Sequence, residues 1–221
     1  MGACLLAGLM LSLTLAGCGL KAKPAATPAP AVPKVTDRTG WPVVVAFGDS
    51  LTAGYGVPSD RNYPSQLQAE LDRLGYRYRV VNAGLSGDTT KGGLSRVSGV
   101  INQHPAMVIL ELGANDGLQG LPVEQMKQNL GQLITQLQKA GAQVILAGME
   151  LPPGNGPDYT NSFDRAFPAL AAQYRVPLIP FFLDGVGGHP NLNLPDGLHP
   201  TGEGYVYVVK NVLAVLRPLL K

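Results

Sequence analysis

The chain has 221 residues, a net charge of +2 and 45% hydrophobic residues, which is enough for one globular domain with a complete core. Its 17 basic residues form no basic run, so the composition does not support binding to nucleic acid. The two cysteines, Cys4 and Cys18, lie in the first 18 residues, which excludes an internal disulfide or a cysteine-ligated metal site in the rest of the chain.

An apolar segment opens the chain. Residues 3–16 are mostly apolar, and at about 1.5 Å per residue they are too short to cross a bilayer core of roughly 30 Å. We therefore predict a signal peptide at residues 1–17. It ends in L-A-G-C, which resembles a bacterial lipobox and implies cleavage before Cys18 and lipidation of its thiol. The alternative is a secretory signal with an incidental cysteine, and the lack of Lys or Arg before the apolar run departs from the usual pattern.

A lipid on Cys18 would anchor the protein to a membrane through several acyl chains. Gly19 stands where an inner-membrane retention signal would place Asp. We therefore expect a bacterial cell-envelope protein in the outer membrane, facing the periplasm; a secreted or periplasmic protein is the alternative. Residues 18–42 are rich in Pro and Ala without apolar periodicity, which predicts an extended linker. The globular domain is then predicted at 43–221.

From residue 43 onward, continuous apolar runs alternate with segments of helical periodicity. The runs predict five strands covered on both faces, at 43–47, 79–83, 107–112, 143–149 and 177–182. The segments between and after them predict helices near 64–74, 90–103, 123–139, 162–174 and 202–218. In the last helix, the predicted buried face consists of Val206, Val209, Leu213 and Leu216. This alternation predicts an α/β fold, a three-layer α/β/α sandwich around a five-stranded parallel sheet.

A polar turn follows each of the first three predicted strands. The turns are G-D-S at 48–50, S-G-D-T at 86–89 and G-A-N-D at 113–116. Sites in parallel sheets form beyond the carboxyl ends of the strands, so the three turns are predicted to share one rim. Ser50 in such a turn is most often a helix cap, and it becomes a nucleophile only with a base beside it.

The base must be one of three histidines. His104 follows a helix and His189 lies in a glycine-rich loop, so both are typical of exposed positions. His199 follows the fifth strand, on the predicted rim of Ser50, and Asp196 stands three residues before it. We predict a triad for acyl transfer, in which His199 takes the serine proton and Asp196 orients the imidazole. An exposed turn is the alternative for the Asp-His pair.

Acyl transfer also needs hydrogen-bond donors for the developing oxyanion. Gly87 can bring its backbone N–H close to a substrate because it has no side chain, and Asn115 can donate from its amide. Each has an ordinary alternative, a turn glycine and an Asx turn. Asp49 is predicted to hydrogen-bond its own turn without being catalytic.

Four blocks of the sequence carry a family resemblance. They are F-G-D-S-L at 47–51, N-A-G-L-S-G-D-T at 82–89, G-A-N-D at 113–116 and D-G-L-H at 196–199. Together and in this order they resemble the SGNH, or GDSL, hydrolase family. The segments that further resemble its bacterial thioesterase I/lysophospholipase/arylesterase group are A-G-Y-G at 53–56, L-G-A-N-D-G-L at 112–118 and V-P-L-I-P-F-F at 176–182.

The resemblance implies a flavodoxin-like fold with Ser50 as the nucleophile and Asp196 and His199 completing the triad. It also implies an oxyanion hole formed by Gly87, Asn115 and the backbone N–H of Ser50. A metal or cofactor is not required by such a mechanism. The missing second glycine of a G-x-S-x-G elbow disfavours an ordinary α/β-hydrolase.

We therefore expect a monomeric serine esterase that hydrolyses small acyl esters or thioesters through an acyl-enzyme. One alternative is a carbohydrate O-deacetylase of the envelope, and another is a catalytically silent lipoprotein that binds lipid or glycan. A metal-dependent phosphoesterase would use Asp49, Asn115, Asp116 and His199, which are too few ligands for two metals. Candidate walls of an acyl pocket are the loops at 84–86, 117–121 and 150–160, and the last of these is also a candidate gate.

Overall fold

The computed structural model describes Met1 and residues 37–152 and 154–221. The predicted signal peptide at 1–17, Cys18 and most of the linker predicted at 18–42 lie outside the described residues. Within the described part of the chain, no helix is both long enough and apolar enough to cross a membrane.

The described elements alternate between strands and helices. The strands are β1 Val43–Gly48, β2 Arg79–Gly84, β3 Met107–Glu111, β4 Gln143–Ala147 and β5 Leu178–Ile179. The helices are α1 Ser50–Ala53, α2 Tyr63–Arg73, α3 Thr90–Ile101, α4 Ala114–Leu118, α5 Val123–Lys139, α6 Pro157–Tyr174 and α7 Gly204–Leu216, followed by a 3₁₀ turn at Arg217–Leu219. The strands are parallel and form one sheet in the order β2-β1-β3-β4-β5.

This strand order is that of the flavodoxin-like fold. On one side α2 packs against α7, and on the other α3 packs against α5 and α5 against α6. The predicted α/β sandwich with a five-stranded parallel sheet is therefore confirmed. Because all strands run the same way, every strand-to-helix loop leaves from one edge of the sheet, and that edge carries the polar turns.

The core sits where the apolar runs predicted it. Every residue of β1 and β3 is buried, and β-branched residues dominate β1, where they pack well in a pleated sheet. The inner face of α5 is also almost inaccessible to solvent; its members are Met126, Leu130, Leu133, Ile134 and Leu137. The three central strands are thus held rigidly, which fixes the positions of the turns that follow them.

Strand β2 departs from the prediction that all strands are covered on both faces. It is the outermost strand beside β1, with Arg79 and Asn82 exposed and the other residues half-buried. Val80 and Val81 resemble part of a buried strand, but Arg79 and Asn82 on either side of them are polar residues of the kind that an edge strand tolerates.

Helix α7 also differs, in the face that it buries. Val206 is exposed at 43%, contrary to the prediction, whereas Val209 and Leu216 are buried and Leu213 is half-buried. The buried face consists of Tyr205, Val208, Val209, Val212 and Leu216. Because apolar residues lie nearly all around this helix, periodicity alone could not identify the inner face. Tyr205 marks that face, since its buried hydroxyl donates to the carbonyl of Leu51, in α1, at 2.9 Å.

Candidate active site

The three polar turns lie side by side at the carboxyl ends of β2, β1 and β3. The backbone N–H of Leu85 donates to the carbonyl of Gly48 at 3.0 Å, which joins the end of β2 to the end of β1. Ser50 begins helix α1, and Asp49 caps it by accepting from the N–H of Leu51 at 3.0 Å, as predicted for Asp49. The three turns therefore lie together on the predicted rim, at the carboxyl ends of three adjacent strands.

Ser50, His199 and Asp196 lie in one hydrogen-bonded chain. The Oγ of Ser50 is 2.9 Å from Nε2 of His199, and Nδ1 of His199 is 2.8 Å from Oδ2 of Asp196. The other oxygen of Asp196 accepts from the backbone N–H groups of Leu198 and His199, at 2.9 and 3.0 Å. The loop therefore holds its own carboxylate still, and that carboxylate holds the imidazole.

The surroundings of Asp196 favour its charged form. Partial burial works against the charge, but the N–H groups of His199 and Leu198 and the imidazole outweigh it and lower the pKa of Asp196 to about 2. Asp196 is consequently an anion throughout the neutral range. His104 and His189 are both exposed, and neither shares a hydrogen bond with Ser50 within the described residues.

The predicted oxyanion donors follow β2 and β3, the two strands that flank the strand of the serine turn. Gly87 has φ +81°, a conformation that favours glycine, and a Cβ there would meet nothing within 4 Å, so its site faces open space. Asn115 donates from Nδ2 to the carbonyl of Asp88 at 2.9 Å and to Oδ2 of Asp49 at 3.1 Å. The amide of Asn115 is thus fixed between the turn after β2 and the turn after β1.

A pair of buried carboxyl groups lies beneath the serine. Glu111 is fully buried, and its Oε2 accepts from Thr52 Oγ1 at 2.7 Å and from the Asp49 N–H at 3.3 Å. Gly48 makes room for it, since a Cβ there would lie 2.3 Å from that same oxygen. Burial raises the pKa of Asp49 to about 6, and burial with the charge of Asp49 raises the pKa of Glu111 well above its usual range. Two adjacent buried carboxyl groups are most stable when one of them is protonated, because two buried negative charges repel each other.

Comparison with known proteins decides the family. The model of the GDSL-like lipase/acylhydrolase family matches residues 46–207. The chain belongs to this family. It is 41% identical to esterase TesA of Pseudomonas aeruginosa over 84% of this chain and 93% of that protein. It is 35% identical to thioesterase 1/protease 1/lysophospholipase L1 of Escherichia coli K12, over 80% of this chain and 84% of that protein.

Solved structures agree. The crystal structure of the psychrotrophic esterase EstA from Pseudoalteromonas, inhibited by monoethylphosphonate, superposes with a TM-score of 0.77 at 31% identity, covering 80% of this chain and 97% of that one. Family membership and these relatives identify the protein as a carboxylic ester hydrolase, a GDSL serine esterase, and they argue against a catalytically silent lipoprotein.

In the phosphoesterase alternative Asp116 would be a metal ligand, but in this GDSL esterase its carboxylate binds Thr90. It is buried, and both its carboxylate oxygens accept from Thr90, from the N–H at 2.8 Å and from Oγ1 at 2.5 Å. Asp116 therefore fixes the start of α3 to α4. Among the described residues, no three His, Cys, Asp or Glu side chains are grouped to hold a metal ion.

The predicted pocket loops are only partly loops. Residues 157–160 form the first turn of α6, because Pro157 suits the start of a helix, so the connection ends at Gly156. Asn155 donates to the carbonyl of Gly117 at 2.8 Å, which ties this connection to the turn that carries Asn115. Two of the three loops expose large apolar side chains, Leu85 on the first and Leu118 and Leu121 on the second.

Arg96 supports the candidate site of the esterase, a role that the sequence did not reveal. From α3 it donates to the carboxylate of Asp88 at 2.6 Å, to the carbonyl of Ala83 at 2.7 Å and to that of Gly48 at 2.8 Å. Its guanidinium also lies 4.5 Å from the centre of the Phe47 ring. Arg96 therefore joins the ends of β1 and β2 to the turn that presents Gly87.

Replacing Arg96 by Met is expected to lower the free energy of unfolding by about 2 kcal/mol and to lower kcat more than it changes KM. Asp88 would be left buried without its cation. Such a loss costs about 3–5 kcal/mol when the pair is fully buried, and the expected loss is smaller here because a quarter of the Arg96 side chain is exposed. Urea unfolding and steady-state rates measure both effects. Arg77→Met, at an exposed arginine, is the control and should behave as wild type. An unchanged urea midpoint for Arg96→Met would contradict the role given to Arg96.

Proposed function

We propose that this esterase cleaves acyl esters and thioesters in two steps, with Ser50 as the nucleophile, His199 as general base and then acid, and Asp196 as the residue that orients the imidazole. The observation that supports this most directly is the chain of two hydrogen bonds, 2.9 Å from Ser50 to His199 and 2.8 Å from His199 to Asp196. Both lie within the range required of a nucleophile–base pair and its orienting group.

In the first step, Ser50 Oγ bonds to the acyl carbon while its proton passes to Nε2 of His199. The tetrahedral intermediate collapses when the bond to the leaving alcohol or thiol breaks, and Nε2 returns the proton to that group. Water then occupies the vacated position, gives a proton to Nε2 and attacks the acyl-enzyme. Breakage of the bond to Oγ frees the acid, and Ser50 recovers its proton from His199.

The negative oxygen of each intermediate would be stabilised by the N–H of Ser50, the N–H of Gly87 and the amide of Asn115. The first N–H groups of a helix have no partner within it, and Ser50 opens α1. Both protons of the Asn115 amide bind protein oxygens, so one must be shared with the oxyanion. The bond to Asp49, at 3.1 Å the longer of the two, is the one that we expect to lengthen.

The substrates proposed are esters and thioesters with apolar acyl groups. A related protein of Escherichia coli carries the name thioesterase and lysophospholipase, and this chain exposes Leu85, Leu118 and Leu198 on the loops that carry the proposed site residues. Ligand sites lined by apolar side chains suit a hydrocarbon chain. Within the described residues this argues against a carbohydrate O-deacetylase.

A serine-directed fluorophosphonate tests the proposal. The Ser50 oxygen should form a bond to phosphorus as fluoride leaves, giving one label per chain on the peptide that contains residue 50 by mass spectrometry. Ser50→Ala should take no label, and Ser98→Ala, at an exposed serine of α3, should label as wild type. Labelling of Ser50→Ala at the wild-type rate would defeat the assignment. Rates on p-nitrophenyl esters of increasing chain length, an acyl-CoA and a lysophospholipid would then define the substrate.

We further propose that the enzyme is a monomer anchored to the bacterial envelope by a lipid on Cys18, with its domain facing the periplasm. The L-A-G-C sequence at 15–18 and the Pro- and Ala-rich stretch after it support the lipid anchor. Cys18→Ala should move the activity from the membrane pellet to the soluble fraction of a cell lysate. Activity that stays in the pellet would refute the anchor.

A further inference from the structure

The turn at residues 53–56, A-G-Y-G, contacts two members of the proposed triad, Ser50 and His199. It continues directly from α1, and the backbone N–H of Tyr55 donates to the carbonyl of Ser50 at 3.1 Å. Gly54 and Gly56 have φ of +85° and +74°, so the chain reverses sharply on both sides of Tyr55. The turn thereby directs the tyrosine out of the helix, toward the loop of His199.

The ring of Tyr55 lies against the imidazole of His199. The two ring centres are 4.6 Å apart and the planes are inclined by 42°, although 53% of the tyrosine is exposed to solvent. This separation is at the short end of the range for interacting aromatic pairs. A half-exposed tyrosine contributes little to the core, so its contact with His199 is the interaction to explain.

A second contact of the same turn reinforces the first. A Cβ on Gly56 would lie 2.4 Å from Cδ1 of Leu194, so the glycine permits close packing against that side chain. Leu194 in turn donates its N–H to the carbonyl of His199 at 2.7 Å and accepts from the N–H of Gly197 at 2.9 Å. The turn that leaves the serine helix is thus packed against the loop that supplies the acid and the base.

We propose that Tyr55 is a positioning residue for the reaction, which holds the His199 ring in line with Ser50 and stabilises the imidazolium formed at each proton transfer. This inference rests on the proposed function. The hydrogen bonds to Nδ1 and Nε2 fix the imidazole along one direction and leave it free to tilt about the line between them. Tyr55 lies against the imidazole at an angle of 42° and limits that tilt, and the electron-rich ring attracts a cation.

Tyr55→Phe and Tyr55→Leu separate this role from others. The phenylalanine keeps the ring, so kcat should stay within about twofold of wild type; the leucine removes it and should lower kcat on the order of 5- to 10-fold. The loss should be equal for p-nitrophenyl butyrate and butyryl-CoA, with little change in KM, because His199 serves both leaving groups. The rate of fluorophosphonate labelling should fall in parallel. Tyr207→Leu, at an exposed tyrosine of α7, is the control.

Other outcomes would overturn the inference. A rise in KM for the p-nitrophenyl ester alone would mean that Tyr55 stacks on the leaving group, and wild-type kcat in Tyr55→Leu would mean that the contact has no role. Thermal melting excludes loss of folding, and Tyr55→Met replaces Tyr55→Leu if the latter melts early. Ser50→Ala runs in the same series: if it keeps wild-type kcat, the proposed function itself fails. A Ser50→Ala variant that loses nearly all of its kcat, beside an unaffected Tyr55→Leu, refutes only the role of Tyr55.

Discussion

Ser50→Ala and His199→Ala should each lower kcat for a p-nitrophenyl ester by about 10⁶-fold, and the double variant should lose no more than either. The reason is that the two groups act as a unit, since the hydroxyl is barely nucleophilic without the base and the base has no proton to take without the hydroxyl. The 2.9 Å bond between Ser50 Oγ and His199 Nε2 is the structural basis of this coupling. Initial rates at saturating ester, with enzyme in large amounts for the slow variants, measure it.

A residual rate should survive in all three variants. The Ser50 N–H, Gly87 and the Asn115 amide remain in place, and comparable sites without their triad still exceed water by about 10³- to 10⁴-fold. Multiplied losses in the double variant would mean that the two residues act independently and would contradict the mechanism. Ser98→Ala should keep wild-type rates, and thermal melting should show that the inactive variants remain folded.

The layout of the fold was predictable because buried strands leave a simple signal. The continuous apolar runs of β1 and β3 and the heptad-like spacing in α5 each reflect burial directly, and the boundaries agree to within a few residues. The errors arose where hydrophobicity is ambiguous. Arg79 and Asn82 are exposed because β2 is an edge strand, but the sequence alone does not tell where in the sheet β2 lies. In α7, apolar residues lie on nearly every face of the helix, so the sequence does not show which face is buried.

The candidate site was predictable where residue types are chemically distinctive. Ser50, His199 and Asp196 stand in short blocks of recognisable spacing, and the parallel sheet accounts for how blocks so far apart in sequence meet. The supporting residues carry no such signal. Arg96 resembles any arginine of an amphipathic helix until its three acceptors are seen, and Glu111 resembles the polar end of a strand.

Glu111 illustrates why such residues escape prediction. A carboxyl group at the end of an apolar strand would normally reach solvent, yet here the missing side chain of Gly48 leaves a space that Glu111 enters. Its environment is set by Asp49 and Thr52, from the turn and the helix that follow the neighbouring strand β1, rather than by its sequence neighbours. Contacts of this kind depend on register between strands, which the sequence does not display.

Asp196→Asn should lower kcat by about 10⁴-fold while leaving substrate binding largely unchanged. An asparagine can still accept the N–H groups of Leu198 and His199 through its oxygen, but it then presents an N–H to Nδ1 of His199. The imidazole would respond by carrying its proton on Nε2, where it cannot accept one from Ser50. Steady-state rates on a p-nitrophenyl ester measure the loss, with Asp60→Asn, at an exposed aspartate, as the control.

The pH dependence of folding separates this chemical effect from a structural one. The pKa of Asp196 in the folded protein, about 2, is lower than its ordinary value of 3.8, so the charge stabilises the fold above about pH 4, and this contribution is lost as the pH falls toward 2. The stability difference between wild type and Asp196→Asn should therefore be present at pH 7 and shrink on acidification, whereas the loss of kcat should persist at every pH where wild type works. A variant within tenfold of wild-type kcat would show that the carboxylate of Asp196 does not set the tautomer of His199.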